Sequence, residues 1–506
     1  MTQQEKGFAH SGDVKHAWKN LGLKPLELLD LRKRRTVGEI VEGYKQCSFG
    51  ARMLGEVADT VCHWAQEAEK PVILDETVSG SALDRALAHL VARGWFAGRA
   101  TFAQARELAK DTKVVVVGAF SEVDAHHLFA FDRAIFVNGH EFAKPGQVKD
   151  GFFPDAVFAD PTFVMPVLDF VLAERLDDYT SSPRDLMKVL EGMKPADPRV
   201  RNLGLQVARG AGTFLNQVMH PSATRFFTLS GAMTVAKMGL VICEMIEREW
   251  VQYFACTGAA MAHGLVESLG LKHYKYNPTH GDVLLASHGL NRVTDTLEPE
   301  ENLDHVADVL GTVLEGVDAS EPMSPRIFHA LVGKYLAERF PNERAILKAA
   351  YEKKVPVCVP AFVDSEVGND VYTHNELRVR DGRPRIVMDL ERDSRVLINM
   401  MLASEFPVIF SVGGGVPRNN TQNVAPLIEI AGARLGIDYP TKMFRSGIRI
   451  APDAPHIGHL SGCTYEENMS WRKMDPDGDF TEVRGDATMI WPLYVRLAMD
   501  HQDAGA

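Results

Sequence analysis

Residues 466–478 read EENMSWRKMDPDG and place Lys473 two positions after Trp471 and six after Glu467. These three residue types can do chemistry together. An indole face attracts an alkyl ammonium, and a carboxylate pairs with a further ammonium. A lysine stripped of its proton by burial attacks an imine or carbonyl carbon. The same residues also suit a solvated surface loop, where most charged side chains lie. Residue types alone leave both readings open.

Further candidates stand where short apolar runs end in small residues. "LSGAMT" (229–234) holds Ser230, Gly231, Ala232, Met233 and Thr234, and "CTGAAMAHG" (256–264) holds Thr257, Gly258 and His263. "VDSEVGND" (363–370) holds Asp364 and Asn369, and "GGGVPRNN" (413–420) holds Gly414 and Asn419. Glycines at such places let backbone approach a ligand closely, and successive amides can cradle a phosphate. Ser230 or Thr234 suits the cap of a helix whose N-terminus could hold an anion. Asp364 and Asp486, each beside small residues at a strand edge, suit acceptance of ribose hydroxyls. Each motif has a plainer reading too: a strand-end turn for the glycines, a cap for the acids and hydroxyls, a satisfied loop histidine for His263.

The elements that must position these residues are legible as β-branched and aromatic runs: "KPVILDETV", "KVVVVGAF", "RAIFVNG", "ATRFFTLSG", "VQYFACTGA", "KVPVCVPAFVD" and "PVIFSVGGG". Helical patterns lie between many of them. In "TVAKMGLVICEMIEREW", Val235, Met238, Val241, Ile242 and Met245 recur at helical spacing. Strands alternating with helices predict an α/β fold, a Rossmann-like, largely parallel sheet flanked by helices, with ligands beyond the carboxyl ends of the strands.

The chain repeats itself. "FADPTFVMPVL" (158–168) shares with "RGDATMIWPLY" (484–494) the order Asp, any residue, Thr, three apolar residues, Pro; "ETVSGS" (76–81) likewise matches "FTLSGA" (227–232). The repeat predicts that the fold is present twice: a shortened copy in residues 1–178 and a complete one in 183–506, joined at "LDDYTSSPRD". A length of 506 residues suits two domains.

Composition narrows the partners. Hydrophobic residues make up 45% and charged residues 24%, and the formal net charge is −12. That balance disfavours nucleic acid and mildly favours cationic ligands. Six scattered cysteines form no CxxC pair, so neither a zinc ribbon nor a disulfide framework is expected, and a reducing cytoplasm fits. Residues 1–20 lack the apolar core of a signal peptide, and no run reaches the ~18–20 apolar residues of a membrane span.

Taken in order, these motifs resemble the deoxyhypusine synthase family. "SWRK" (470–473) is similar to that family's Ser-Trp-Gly-Lys loop, with Lys473 on the catalytic lysine. "GGGV" (413–416), "DATMIWPL" (486–493), "PAFVDSEVG" (360–368) and "GLNRVTDTLEPEEN" (289–302) match further family segments across ~200–500. The resemblance implies NAD as cofactor and transfer of an aminobutyl group from a polyamine such as spermidine to an acceptor amine, through an imine on Lys473. It implies cofactor contacts from Ser230, Gly231, Ala232, Met233, Thr234, Thr257, Gly258, Asp364, Gly414, Asp486 and Ala487. It implies amine contacts from His263, Asn369, Asn419, Glu467 and Trp471. A small cationic substrate, an acceptor amine of unspecified kind and a homo-oligomer (dimer or tetramer) follow as expectations.

The chain departs from the family pattern where acids hold polyamine ammoniums: Ala262 and His263 replace two glutamates, Asn369 an aspartate, Leu460 an acid, and Asn419 a histidine. The alternatives are homospermidine synthase-type transfer to a free amine, a catalytically inactive NAD-binding relative, and an NAD-using enzyme of another type such as a deacylase. The N-terminal copy resembles the family more faintly and has no Ser-Trp-x-Lys loop.

Overall fold

The computed structural model describes residues 16–138, 156–195 and 202–505; the stretch read for a signal peptide lies, up to residue 15, outside the described residues. Each apolar run named above forms a strand. In chain order, β1 (Val72–Asp75), β2 (Gly98–Ala100), β3 (Lys113–Val117), β4 (Arg133–Asn138) and β5 (Ala156–Phe158) make a sheet ordered β2-β1-β3-β4-β5, parallel throughout. β6 (Ala223–Leu229) and β7 (Tyr253–Cys256) begin a second sheet. The short β8 (Tyr274–Lys275), β9 (Leu290–Val293) and β10 (Thr296–Pro299) pair separately and antiparallel. β11 (Val357–Cys358), β12 (Phe406–Val412), β13 (Phe444–Ile450) and β14 (Met474–Val483) complete the second sheet in the order β11-β7-β6-β12-β13-β14. The fold is thus α/β, with parallel sheets flanked by helices.

Apart from the extra edge strand β11, the two sheets have one topology: β2-β1-β3-β4-β5 against β7-β6-β12-β13-β14. Local details agree as well. Gly118 after β3 and Gly413 after β12 both have positive φ (92° and 73°), and each amide donates to a carbonyl near the end of the neighbouring strand, Val137 at 2.9 Å and Ile450 at 2.8 Å. Asp160 accepts from the amide and hydroxyl of Thr162 (2.8 and 2.7 Å), as Asp486 does from Thr488 (2.7 and 2.6 Å). Each Asp-x-Thr starts a helix, Pro161–Leu176 and Ala487–Gly505, with a proline inside it.

Two compact units emerge, each from separate stretches of chain. One joins the segment ending at Leu28 to Asn216–Glu482; the other joins Leu29–Leu215 to the residues from Val483 on. This division differs from the boundary expected at 178/183, because the C-terminal helix belongs with the first sheet. That helix is buried on every side from Ala487 to Met499, so it needs apolar cover all round. Helices Val37–Tyr44, Phe49–Gln66 and Leu203–Met219 supply partners: Tyr44 donates to the Met489 carbonyl at 2.8 Å, Ala51 to Thr488 Oγ1 at 2.9 Å, and Tyr494 to the Val207 carbonyl at 2.8 Å. The contacts are reciprocal between the two repeats. The amide of Gly50, on the first repeat's long helix, donates to Asp486 at 3.2 Å; the amide of Gly204, on the second's, donates to Thr162 Oγ1 at 3.2 Å.

The core of the larger sheet gathers Phe226, Tyr253, Ile409, Phe444, Tyr465 and Met474, all nearly inaccessible. The helix expected across 234–250 is shorter, Gly239–Glu247. Lys237, at φ 70°, breaks the run, so neither Ser230 nor Thr234 caps it. The six cysteines are free. Among the described residues no helix is long and apolar enough to cross a membrane.

Candidate active site

At the carboxyl ends of β6, β7 and β12 the small-residue loops close on one another. Ser230 donates its amide to Val412 at 2.9 Å and accepts at Oγ from the Gly415 amide at 3.0 Å. Thr257 caps the helix Gly258–Ser268, accepting from Ala260, and donates to the Gly231 carbonyl at 2.9 Å. Gly413 faces Ser230, Gly414 faces the Ser461 backbone, and Gly258 faces Ser365, each too closely for a β-carbon. Asp364 stands exposed beside this cluster. Ser230, Gly231, Thr257, Gly258 and Gly414 therefore sit on one connected rim. Ala232 and Met233 continue it along the chain. Thr234 is fully buried and spends its hydroxyl on the Ala260 carbonyl. Asp486 and Ala487 belong to the other unit, where the Asp486 carboxylate is engaged by Thr488 and Gly50.

Next to Gly414 opens a cavity of about 270 Å³. Two consecutive local devices put Lys473 in its wall. Thr464 caps the short helix Tyr465–Ser470, and Arg472, at φ 53°, then reverses the chain so that Lys473 enters just before β14. Lys473 is 7% exposed, its ammonium donating to Asn419 Oδ1 at 3.0 Å and lying 5.6 Å from the Trp471 ring centre. Burial lowers its pKa, and the nearby Arg418 cation pushes the same way, against the opposing influence of Cys463 and Glu467. Trp471 stays 62% exposed. Of the residues expected around an amine, Asn419, Glu467 and Trp471 line this cavity and His263 and Asn369 do not. Sequence reasoning missed Arg418, Gln422, Asn423, Cys463 and Asn468. The signal available was the helix following the glycines, Val416–Gln422, whose polar residues read as a solvated surface but include buried Arg418, Thr421 and Gln422.

His263 belongs to a separate buried network. It hydrogen-bonds Glu298, which also takes His273 Nε2 at 2.9 Å, while Lys237 lies 2.7 Å from both His273 Nδ1 and Glu267. An ammonium only donates, so Nδ1 of His273 is the acceptor and Nε2 carries the proton given to Glu298. His263, His273 and Glu298 have the spacing of metal ligands, but that tautomer occupies the lone pair a metal would need. Burial opposes charging His263, yet Glu298 outweighs it and raises its pKa; burial and the Lys237 cation lower that of His273. Burial would raise the Glu298 pKa, but the two histidines hold it well below the usual carboxylate range.

The family profile described as deoxyhypusine synthase matches residues 200–498. "Probable deoxyhypusine synthase 2" of Methanosarcina mazei is 30% identical over 310 residues, 61% of this chain and 85% of its own length. "Probable deoxyhypusine synthase 1" of Archaeoglobus fulgidus is 32% identical over 275 residues, 54% and 82% of the two chains. "Deoxyhypusine synthase-like protein" of Caulobacter vibrioides is 30% identical over 293 residues, 56% and 76%.

Proposed function

The chain belongs to the deoxyhypusine synthase family, and from that premise we propose that it is an NAD-dependent transferase carrying an aminoalkyl group from a polyamine-like donor to an acceptor amine on Lys473. The observation that carries the reading is Lys473 itself: a buried amine with depressed basicity in a polar cavity beside an indole face.

The residues present fit a dinucleotide. Gly231 leaves its stretch of loop open, and the helix Gly258–Ser268 points its N-terminus at the same rim. Ser230, Thr257, Gly258 and Gly414 would hold the cofactor, with Asp364 taking ribose hydroxyls. NAD, when bound, supplies the hydride acceptor that interconverts amine and imine carbons. Everything else falls to the chain. Imine exchange needs an uncharged amine, and burial near Arg418 favours that form of Lys473. Asn419 fixes the direction of Nζ. As the carbon–nitrogen bond to Nζ forms, the bond to the departing amine breaks and the Nζ proton leaves with it. Trp471 and Glu467 steady the cationic part of the donor.

A second reading, an NAD-binding relative without transferase activity, is favoured by neutral Leu460 lining the cavity where the family has an acid. Incubation with NAD and spermidine, with the released amine followed by chromatography, separates the two. Release that depends on Lys473 supports transfer; NAD binding without release from any of a panel of amines supports the second reading.

A further inference from the structure

The wall of the lysine cavity includes a cation with which no carboxylate pairs among the described residues. Arg418 lines it, is 1% exposed, and has two nitrogens, Nε and Nη1, with no hydrogen-bond partner. Its Nη2 donates to the Cys463 carbonyl at 2.9 Å, and its plane lies 5.3 Å from the centre of the Tyr465 ring. Its neighbour Arg449 also has a buried Nε without a partner but differs in having a carboxylate, Glu482 at 3.1 Å, besides the Ser461 carbonyl at 2.7 Å. No carboxylate pairs with Arg418 among the described residues. Burying a guanidinium with free N–H groups is costly unless something pairs with it. Gln422, on the same helix and lining the same cavity, also has a buried Nε2 without a partner. Asn419 and Asn423 complete a wall rich in donors. At its mouth, Leu460 offers no negative charge.

We propose that the amine taken by this cavity carries a carboxylate, bound by Arg418 and Gln422, so that the substrate class is an amino acid-like or carboxylated amine rather than a plain polyamine. This rests on reading the cavity as the amine site. The division of labour follows from placement. Trp471 and Glu467 suit the ammonium end, Lys473 the reacting carbon between, and Arg418 the anionic end. A guanidinium fork matches a carboxylate with two parallel N–H bonds. Because Arg418 Nη1 lies against Gly414, the competing source of the anion is a phosphate of the bound dinucleotide, and the test must tell the two apart.

Pairs of amines that differ by one carboxylate provide it: ornithine against putrescine, and lysine against cadaverine. Binding is measured by calorimetry on the full chain with NAD present, and NAD affinity is measured separately. The expected result is at least a tenfold preference for the carboxylated member of each pair, in line with the roughly 10- to 150-fold worth of a charged hydrogen bond. Arg418→Gln should reduce the preference to within about threefold and leave NAD affinity unchanged. Arg418→Lys, which keeps the charge but loses the fork, should fall between. If Arg418→Gln does not fold, Gln422→Leu carries the test and should lose part of the preference. Equal or tighter binding of the plain diamine to the unmodified protein overturns the proposal. So does a preference that survives Arg418→Gln while NAD binding weakens, since the anion is then the dinucleotide's. None of these measurements needs turnover, so a failure of the transferase reading shows separately, as the absence of any Lys473 adduct.

Discussion

Three glycines in a row wall the candidate site, and the structure assigns each a different reason for lacking a side chain. Alanine substitution should therefore give three different costs. At Gly415 an added β-carbon would meet only Ser230 Oγ at 3.6 Å, an ordinary contact, while the backbone (φ −70°, ψ −142°) lies outside the α and β regions; the change adds no clash and carries only the cost of that backbone conformation. At Gly414 the β-carbon would lie 2.8 Å from Ser461 Cα, and backbone must shift; overpacking of this kind costs about 1–3 kcal/mol. Gly413 combines φ 73° with a β-carbon 2.8 Å from that of Ser230. The left-handed conformation adds roughly 1–2 kcal/mol to the steric cost, for a total of about 2–5 kcal/mol. Gly436 separates the two effects, with φ 68° and nothing within 4 Å, so its alanine variant should show the conformational cost alone. Calorimetric melting of the four variants should place Gly413 above both Gly436 and Gly415, neither of which adds a clash. A Gly415→Ala as damaging as Gly413→Ala, or a harmless Gly413→Ala, would refute the packing argument.

Further predictions test the site and its supports. Asp364→Asn should weaken NAD binding roughly 10- to 150-fold by calorimetry, the worth of one charged hydrogen bond; unchanged affinity would leave the glycine rim as the sole support for the cofactor. Glu298→Ala removes the carboxylate that both buried histidines hydrogen-bond and should cost about 3–5 kcal/mol, read as a lowered melting temperature, whereas a near-neutral effect would contradict the network. The raised pKa of His263 stabilises the fold fully below its unfolded value near 6.5 and ceases to as pH rises through the folded value. The depressed Glu298 acts above its unfolded value near 4.3 and loses its effect as pH falls. The pair is thus most stabilising at about pH 4.5–6.5, and His263→Gln should flatten the loss of stability above 6.5; an unchanged slope would sink the assignment.

How far the sequence reached depended on what each residue's partners were. The strand runs were legible because β-branched residues such as those of Val114–Val117 are buried on both faces. β13 and β14 were not: "FRSGIRI" mixes charge with apolar residues because Arg449 is buried with Glu482 as its partner, and β14 carries Asp, Pro and Gly through its first half. The repeat was visible in Asp-x-Thr, since one cap geometry demands those types twice. The unit boundary was hidden, because it depends on Tyr44, Ala51 and Val207 covering a helix more than 280 residues away. At the site, Lys473, Trp471 and Glu467 stood out as types, and Asn419 was reached only through the family resemblance. Arg418 did not, because only the fold shows that a surface-like polar helix buries its guanidinium without an anion.

The central claim is that Lys473 carries the transferred group. Incubating the full chain with NAD and a donor amine, reducing the mixture with borohydride and mapping the modified peptide tests it most directly. The account predicts one aminoalkyl adduct, on Lys473, formed faster as pH rises toward the amine's lowered pKa. It also predicts no adduct or turnover in Lys473→Arg, because a guanidinium is effectively never deprotonated. An adduct on another lysine, or full turnover by Lys473→Ala, would contradict it.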